Sequence, residues 1–117
     1  MAQLLRYSVD LHNFIKVINV VGDINVMTCT KLVNIVNLLT MQESIILNLE
    51  SVQLITAAGL EALVEISINA KDAGKRVVLF QASNEFKNLA ESLDYFKFFI
   101  FADSLEEAAT KIKVFTS

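Results

Sequence analysis

The chain has 117 residues, one cysteine, no proline and a net charge of −3 from 13 acidic and 10 basic side chains. That length fits one domain, 1–117, able to bury its own core, and the scattered basic residues argue against a nucleic-acid partner. Hydrophobic residues reach 54% and mean hydropathy is +0.50, yet no apolar run approaches the roughly 18 residues that span a bilayer, so no direct membrane insertion is expected.

The opening MAQLLRYSVD lacks the basic-then-apolar layout of a signal peptide, and cytoplasmic residence is the expectation. Leu4–Val9 and Phe14–Val21 read as two strands joined at the turn-prone Asp10-Leu11-His12-Asn13. His12 has no companion that suggests a metal or a nucleophile and is read as a solvated turn residue. After Gly22-Asp23-Ile24-Asn25, the apolar stripe Leu32, Val33, Ile35, Val36 and Leu39 predicts a helix over about Thr28–Thr40, with Asn25 as its cap. Cys29, alone, can form neither an internal disulfide nor a metal cluster and is read as a small residue near that helix start.

Ser44–Leu49, with the apolar Ile45, Ile46, Leu47 and Leu49, reads as a buried third strand. A second helix is expected over Ala57–Ala73, ended by Gly74, with a wide apolar arc through Leu60, Leu63, Val64, Ile66 and Ile68. Arg76–Phe80 reads as the next strand, Ser83 as the cap of a helix carrying Phe86, Leu89, Ala90 and Leu93, and Phe98–Phe101 as the last strand. Ser104-Leu105-Glu106-Glu107 has capping-box form and opens a final helix. The order ββαβαβαβα predicts an α/β fold: a mixed, mostly parallel sheet of about five strands with about four helices and a hairpin strand at one edge. The aromatic run Tyr95–Phe101 fits a core role or a self-association surface, so a weak homodimer is one expectation.

The passage from strand to second helix, Thr56-Ala57-Ala58-Gly59-Leu60, gathers unpaired backbone N–H groups at a helix start. Together with Gly22-Asp23-Ile24-Asn25, Ile46-Leu47-Asn48-Leu49, Val52–Leu60, Ala73-Gly74-Lys75 and Asp103–Ala108, it resembles the STAS family, the fold of bacterial anti-sigma factor antagonists. The resemblance runs through nearly the whole chain. It implies a non-enzymatic protein-binding regulator in a partner-switching system, bound by an anti-sigma factor that is also a serine kinase. The family's second helix usually opens with Asp-Ser-Ser-Gly or Asp-Ser-Thr-Gly, and the kinase phosphorylates the first hydroxyl residue.

This chain departs from that pattern. Thr56 stands for the usual Asp, Ala57 for the phosphorylated residue, Ala58 for the second hydroxyl, Asn25 for a frequent Asp, and Glu61 for a common small residue. Alanine has no oxygen to phosphorylate, so the chain is either a permanently binding-competent antagonist or a relative recruited to another partner. Thr56 is read as a helix N-cap rather than a displaced phosphoacceptor. Glu61 is read as a solvated carboxylate suited to the helix dipole, since it lacks phosphate's second charge and third acceptor oxygen. Asp23 fits both a partner contact and a structural turn. The resemblance thus assigns partner binding to Asp23, Asn25, Thr56, Ala57, Ala58, Gly59, Leu60 and Glu61, with no cofactor or metal. A second reading is a STAS subunit that binds the ATPase of a membrane lipid-transport assembly. No phosphate loop, nucleophile elbow or metal-spaced cluster points to catalysis.

Overall fold

Residues 5–116 are described by a computed structural model, in which β1 (Arg6–His12), β2 (Ile15–Ile24), α1 (Cys29–Thr40), β3 (Ile45–Ile55), α2 (Ala57–Asp72), β4 (Val77–Phe80), α3 (Asn84–Ser92), β5 (Ile100–Ala102) and α4 (Leu105–Thr116) follow one another. The expected α/β order ββαβαβαβα is therefore observed. Leu4, placed in the first strand by sequence, lies outside the described residues, as do 1–3 and 117 of the expected domain.

The five strands form one sheet in the order β1-β2-β3-β4-β5. β1 pairs antiparallel with β2, and every later neighbour is parallel. Parallel strands need helical crossovers, and the helices cover both faces. Alternation along the strands divides the core accordingly. Ile18, Val20, Leu47, Leu49, Val77 and Leu79 pack in the cluster that holds Leu32 and Val36 of α1, Leu60, Leu63 and Ile66 of α2, and Phe86 and Ala90 of α3. Val17, Ile46 and Val78 point the other way, onto Ala108 and Ile112 of α4.

The hairpin is tighter than the sequence suggests. His12 pairs with Ile15, leaving Asn13 and Phe14 as a two-residue turn with φ of 51° and 67°. Two consecutive positive φ values are the signature of a type I′ turn, whose twist matches that of the flanking strands. Phe14 thus belongs to the turn and not to the strand, and its side chain is 96% exposed.

Three further boundaries differ. β3 runs on from Leu49 to Ile55 because β2 continues to pair with it, through register shifts between Asn19 and Val21 and between Gly22 and Ile24. β4 matches only Ile45–Asn48, so the last turn of β3 stands proud of the sheet. The aromatic run splits: Phe96–Phe98 forms a 3₁₀ turn and the strand starts at Ile100. Phe99 and Phe101 reach Phe86 of α3, with ring centroids 5.7 and 6.0 Å away, whereas Phe96 and Phe98 remain exposed. Finally, α1 starts at Cys29 after Thr28, not after Asn25.

The other helix ends follow their sequence signals. Ser83 Oγ accepts from Phe86 N at 3.1 Å, and Ser104 Oγ from Glu107 N at 3.0 Å. Glu107 reaches back to Asp103 N at 2.9 Å, one residue before the cap. Gly74 has φ of 76°, and Lys75 N donates to Ala70 O at 2.8 Å, closing α2 with a Schellman motif.

Candidate functional site

The overhanging end of β3 and the end of β2 carry α2 between them. Thr56 N donates to Ile24 O at 3.1 Å, which ties the residue before the helix to the last residue of β2. Thr56 Oγ1 then accepts from Gly59 N at 3.2 Å, so Thr56 is the N-cap that sequence indicates. Gly59 sits against the same carbonyl: a Cβ there would meet Ile24 O at 2.2 Å. Leu60 is fully buried beneath it. The start of α2 is consequently held from below by Gly59 and Leu60, while Thr56 and Ala57 are exposed and Ala58 is half-buried.

The β2–α1 loop is built from its own polar side chains. Asn25 Oδ1 accepts from Met27 N at 2.9 Å and Thr28 N at 3.2 Å, an Asx turn. Thr28 Oγ1 donates to Asp23 O at 2.8 Å and accepts from Asn25 N at 3.0 Å. Asp23 Oδ1 accepts from Leu54 N at 3.2 Å, bracing the end of β3. Asp23 and Asn25 therefore both hold backbone, and their side chains set the loop beside the helix start.

Around this point the structure places residues that sequence reading missed. Val26, Met27 and Leu54 are 69%, 79% and 66% exposed. They sit in the loop after β2 and at the tip of β3, beside the capped start of α2. The available signal was the pair Val26-Met27, apolar inside a turn whose neighbours are polar. Between α1 and α2 an open groove of about 420 Å³ is lined by Cys29, Thr30, Val33, Asn34, Ala58, Glu61, Ala62 and Glu65. Glu61 and Glu65 are exposed on its α2 wall. Tyr95 Oη donates to Glu61 Oε1 at 3.2 Å, which fixes that carboxylate's orientation. Partial desolvation first, and then the Glu61 charge and hydrogen bond, hold the Tyr95 phenol above its ordinary value.

His12 lies in the hairpin, away from this surface, beside Asn13. Among the described residues no group of three or more His, Cys, Asp or Glu is disposed to hold a metal, and no helix is long and apolar enough to cross a membrane.

The backbone arrangement recurs in solved structures. An anti-sigma factor antagonist from Mycobacterium paratuberculosis superposes with a TM-score of 0.75 at 18% identity, covering 94% of this chain and 95% of that one. A putative anti-sigma factor antagonist from Thermotoga maritima gives 0.80 at 14% identity, over 92% and 94%. The Bacillus anti-sigma factor antagonist SpoIIAA gives 0.71 unphosphorylated and 0.65 phosphorylated, both at 14% identity, over 93% and 92% of this chain and 97% and 99% of that one. At such identities the likeness is one of fold. No curated protein matches by sequence. The family model for the STAS domain, however, matches residues 7–108, a span holding both β-strand tips, the capped start of α2 and the groove beside it, and the chain belongs to the STAS domain family.

Proposed function

We propose that this chain is a single-domain, non-enzymatic protein-binding regulator of the anti-sigma factor antagonist kind, cytoplasmic, and acting in a bacterial partner-switching system with its phosphoacceptor position occupied by Ala57. The observation that carries the reading is the exposure of Ala57 at a helix start capped by Thr56. Gly59 and Leu60 anchor the turn, Thr56 caps it, and Asp23 and Asn25 brace the neighbouring loop. The surface is small-featured and rimmed by Val26, Met27 and Leu54. That composition suits protein contact more than chemistry, since apolar groups set beside fixed polar ones dominate interface cores.

The partner is an anti-sigma factor with a serine-kinase-like fold. Glu61 and Glu65 on the groove wall favour a partner face that brings cations to them. Phosphorylation would ordinarily add about −1.5 to −2 charges at such a helix start and break the fit. Here that step has no acceptor at 57, and Thr56 Oγ1 is engaged by Gly59 N. The chain is then constitutively competent to bind.

The test is capture of kinase-like anti-sigma factors from the native cell, by wild type and two variants. Wild type is expected to retain the partner with and without ATP. Ala57→Asp is expected to lose it, and Ala57→Ser to bind until ATP is supplied and then release. Equal retention by wild type and Ala57→Asp would refute this docking face. Recovery of a transport ATPase instead would replace the signalling reading with the lipid-transport one.

A further inference from the structure

β1 is the outermost strand on its side of the sheet, and no strand among the described residues pairs with its far edge. An open edge offers a row of unpaired backbone N–H and C=O groups, which proteins usually guard with lysine, proline or a bulge. β1 has none of these: its sequence is RYSVDLH and its register with β2 is unbroken from Arg6↔Val21 to His12↔Ile15. Every side chain from Arg6 to Leu11 is exposed, so both faces of the strand stand clear of the helices. Tyr7, Val9 and Leu11, exposed by 43%, 45% and 68%, share one face with the buried Ile18 and Val20. Arg6, Ser8 and Asp10 occupy the other face.

We propose that β1 pairs antiparallel with β1 of a second copy, about a two-fold axis normal to the sheet at Ser8. The charges select both the occupant and the register. With Ser8 opposite Ser8 of the second copy, Arg6 faces Asp10 and Asp10 faces Arg6, while Tyr7 faces Val9 on the apolar side. Moving the axis to Val9 sets Arg6 against His12, moving it to Asp10 sets two carboxylates together, and moving it to Arg6 sets two guanidinium groups together. The strand is self-complementary in the Ser8 register. The Arg6 guanidinium has no ion pair or hydrogen bond within the described residues, and Asp10 Oδ2 is steadied by Asn19 Nδ2 at 2.8 Å, which leaves its other oxygen open. Exposed ion pairs contribute modestly, so association depends on concentration and weakens with salt. β1 lies beyond β2 in the sheet, whereas α2 follows β3, so the proposed edge pairing uses none of the residues at the α2 start.

Sedimentation equilibrium at low salt, over a concentration series, tests this. Wild type is expected to show a monomer–dimer equilibrium. Arg6→Asp and Asp10→Arg each set like charges together at both ends and are expected to raise the dimer Kd by about tenfold or more. Mixing these two variants in equal amounts puts opposite charges together again and is expected to restore association. Val9→Lys, which leaves Arg6 and Asp10 in place, is expected to weaken the dimer through the apolar face. A wild type that stays monomeric throughout, single variants that associate like wild type, or a mixture no better than its components would each overturn the proposal.

Discussion

Gly59 stands so close to Ile24 that a methyl group on its α-carbon would lie 2.2 Å from the Ile24 carbonyl oxygen. That carbonyl also accepts from Thr56 N. Two contacts on one oxygen thus seat the first turn of α2 on the end of β2, and the obstacle is backbone, which cannot swing aside.

Gly59→Ala should therefore destabilise the protein even though alanine is the better helix former by about 0.8–1 kcal/mol. Overpacking against fixed backbone costs about 1–3 kcal/mol or more, and the loss should exceed the propensity gain. Urea denaturation should show a lower midpoint with little change in slope, and partner capture should weaken as α2 is pushed outward. Unchanged stability would mean the helix can shift freely.

Thr56→Ala removes the oxygen that accepts from Gly59 N and should cost about 1 kcal/mol. Thr56→Ser keeps that oxygen and should stay close to wild type. Thermal unfolding of the two variants separates a capping role from any other. Incubation of wild type with kinase and ATP should leave Thr56 unmodified by mass spectrometry.

Phe14→Gly should stabilise. Phe14 holds φ of 67° with its ring 96% exposed, so it gains no core contact in return for a left-handed backbone. Relief of that conformation is worth on the order of 1 kcal/mol, less the entropy glycine adds to the unfolded chain. A rise in Tm is the expected result, and a fall would indicate that the ring is held by something on the hairpin.

Glu107 gives a pH dependence of known sign. Its carboxyl lies below the usual value, first because Asp103 N donates to it and then because Lys111 bonds it. A carboxyl depressed in the folded state stabilises above its unfolded value, and that contribution is lost as pH falls through the folded value. Acidification from neutrality should thus lower the Tm of wild type more steeply than that of Glu107→Gln across the carboxylate range. Parallel pH profiles would remove Glu107 from the account.

Much of this was readable before any coordinates. Ile45, Ile46 and Leu47 form a continuous apolar run because both faces of β3 are covered, one by α1–α3 and one by α4. Ser83 and Ser104 marked helix starts because their oxygens meet backbone donors three residues on. The rest depended on distant partners. Ser51–Ile55 is a strand because it keeps pairing with β2, with β3 bulging by one residue at each register shift, and nothing within those five residues specifies that. Phe96–Phe98 is rich in strand-forming aromatics, yet only Phe99 and Phe101 can reach Phe86, and the chain curls into a 3₁₀ turn to bring them there. At the site, Thr56 was legible as the cap of α2. Val26, Met27 and Leu54 were not, since exposed apolar residues in a turn or at a strand tip follow no burial period.

The tip of β3 has a consequence for motion. Beyond Asn48 the strand is laddered to β2 alone, with no strand among the described residues on its other side. Amide hydrogen exchange should accordingly divide β3 in two: Ile45–Leu47 protected up to global unfolding, Ser51–Ile55 exchanging through small local openings. Such a division lets the tip of β3 adjust while the centre of the sheet stays closed.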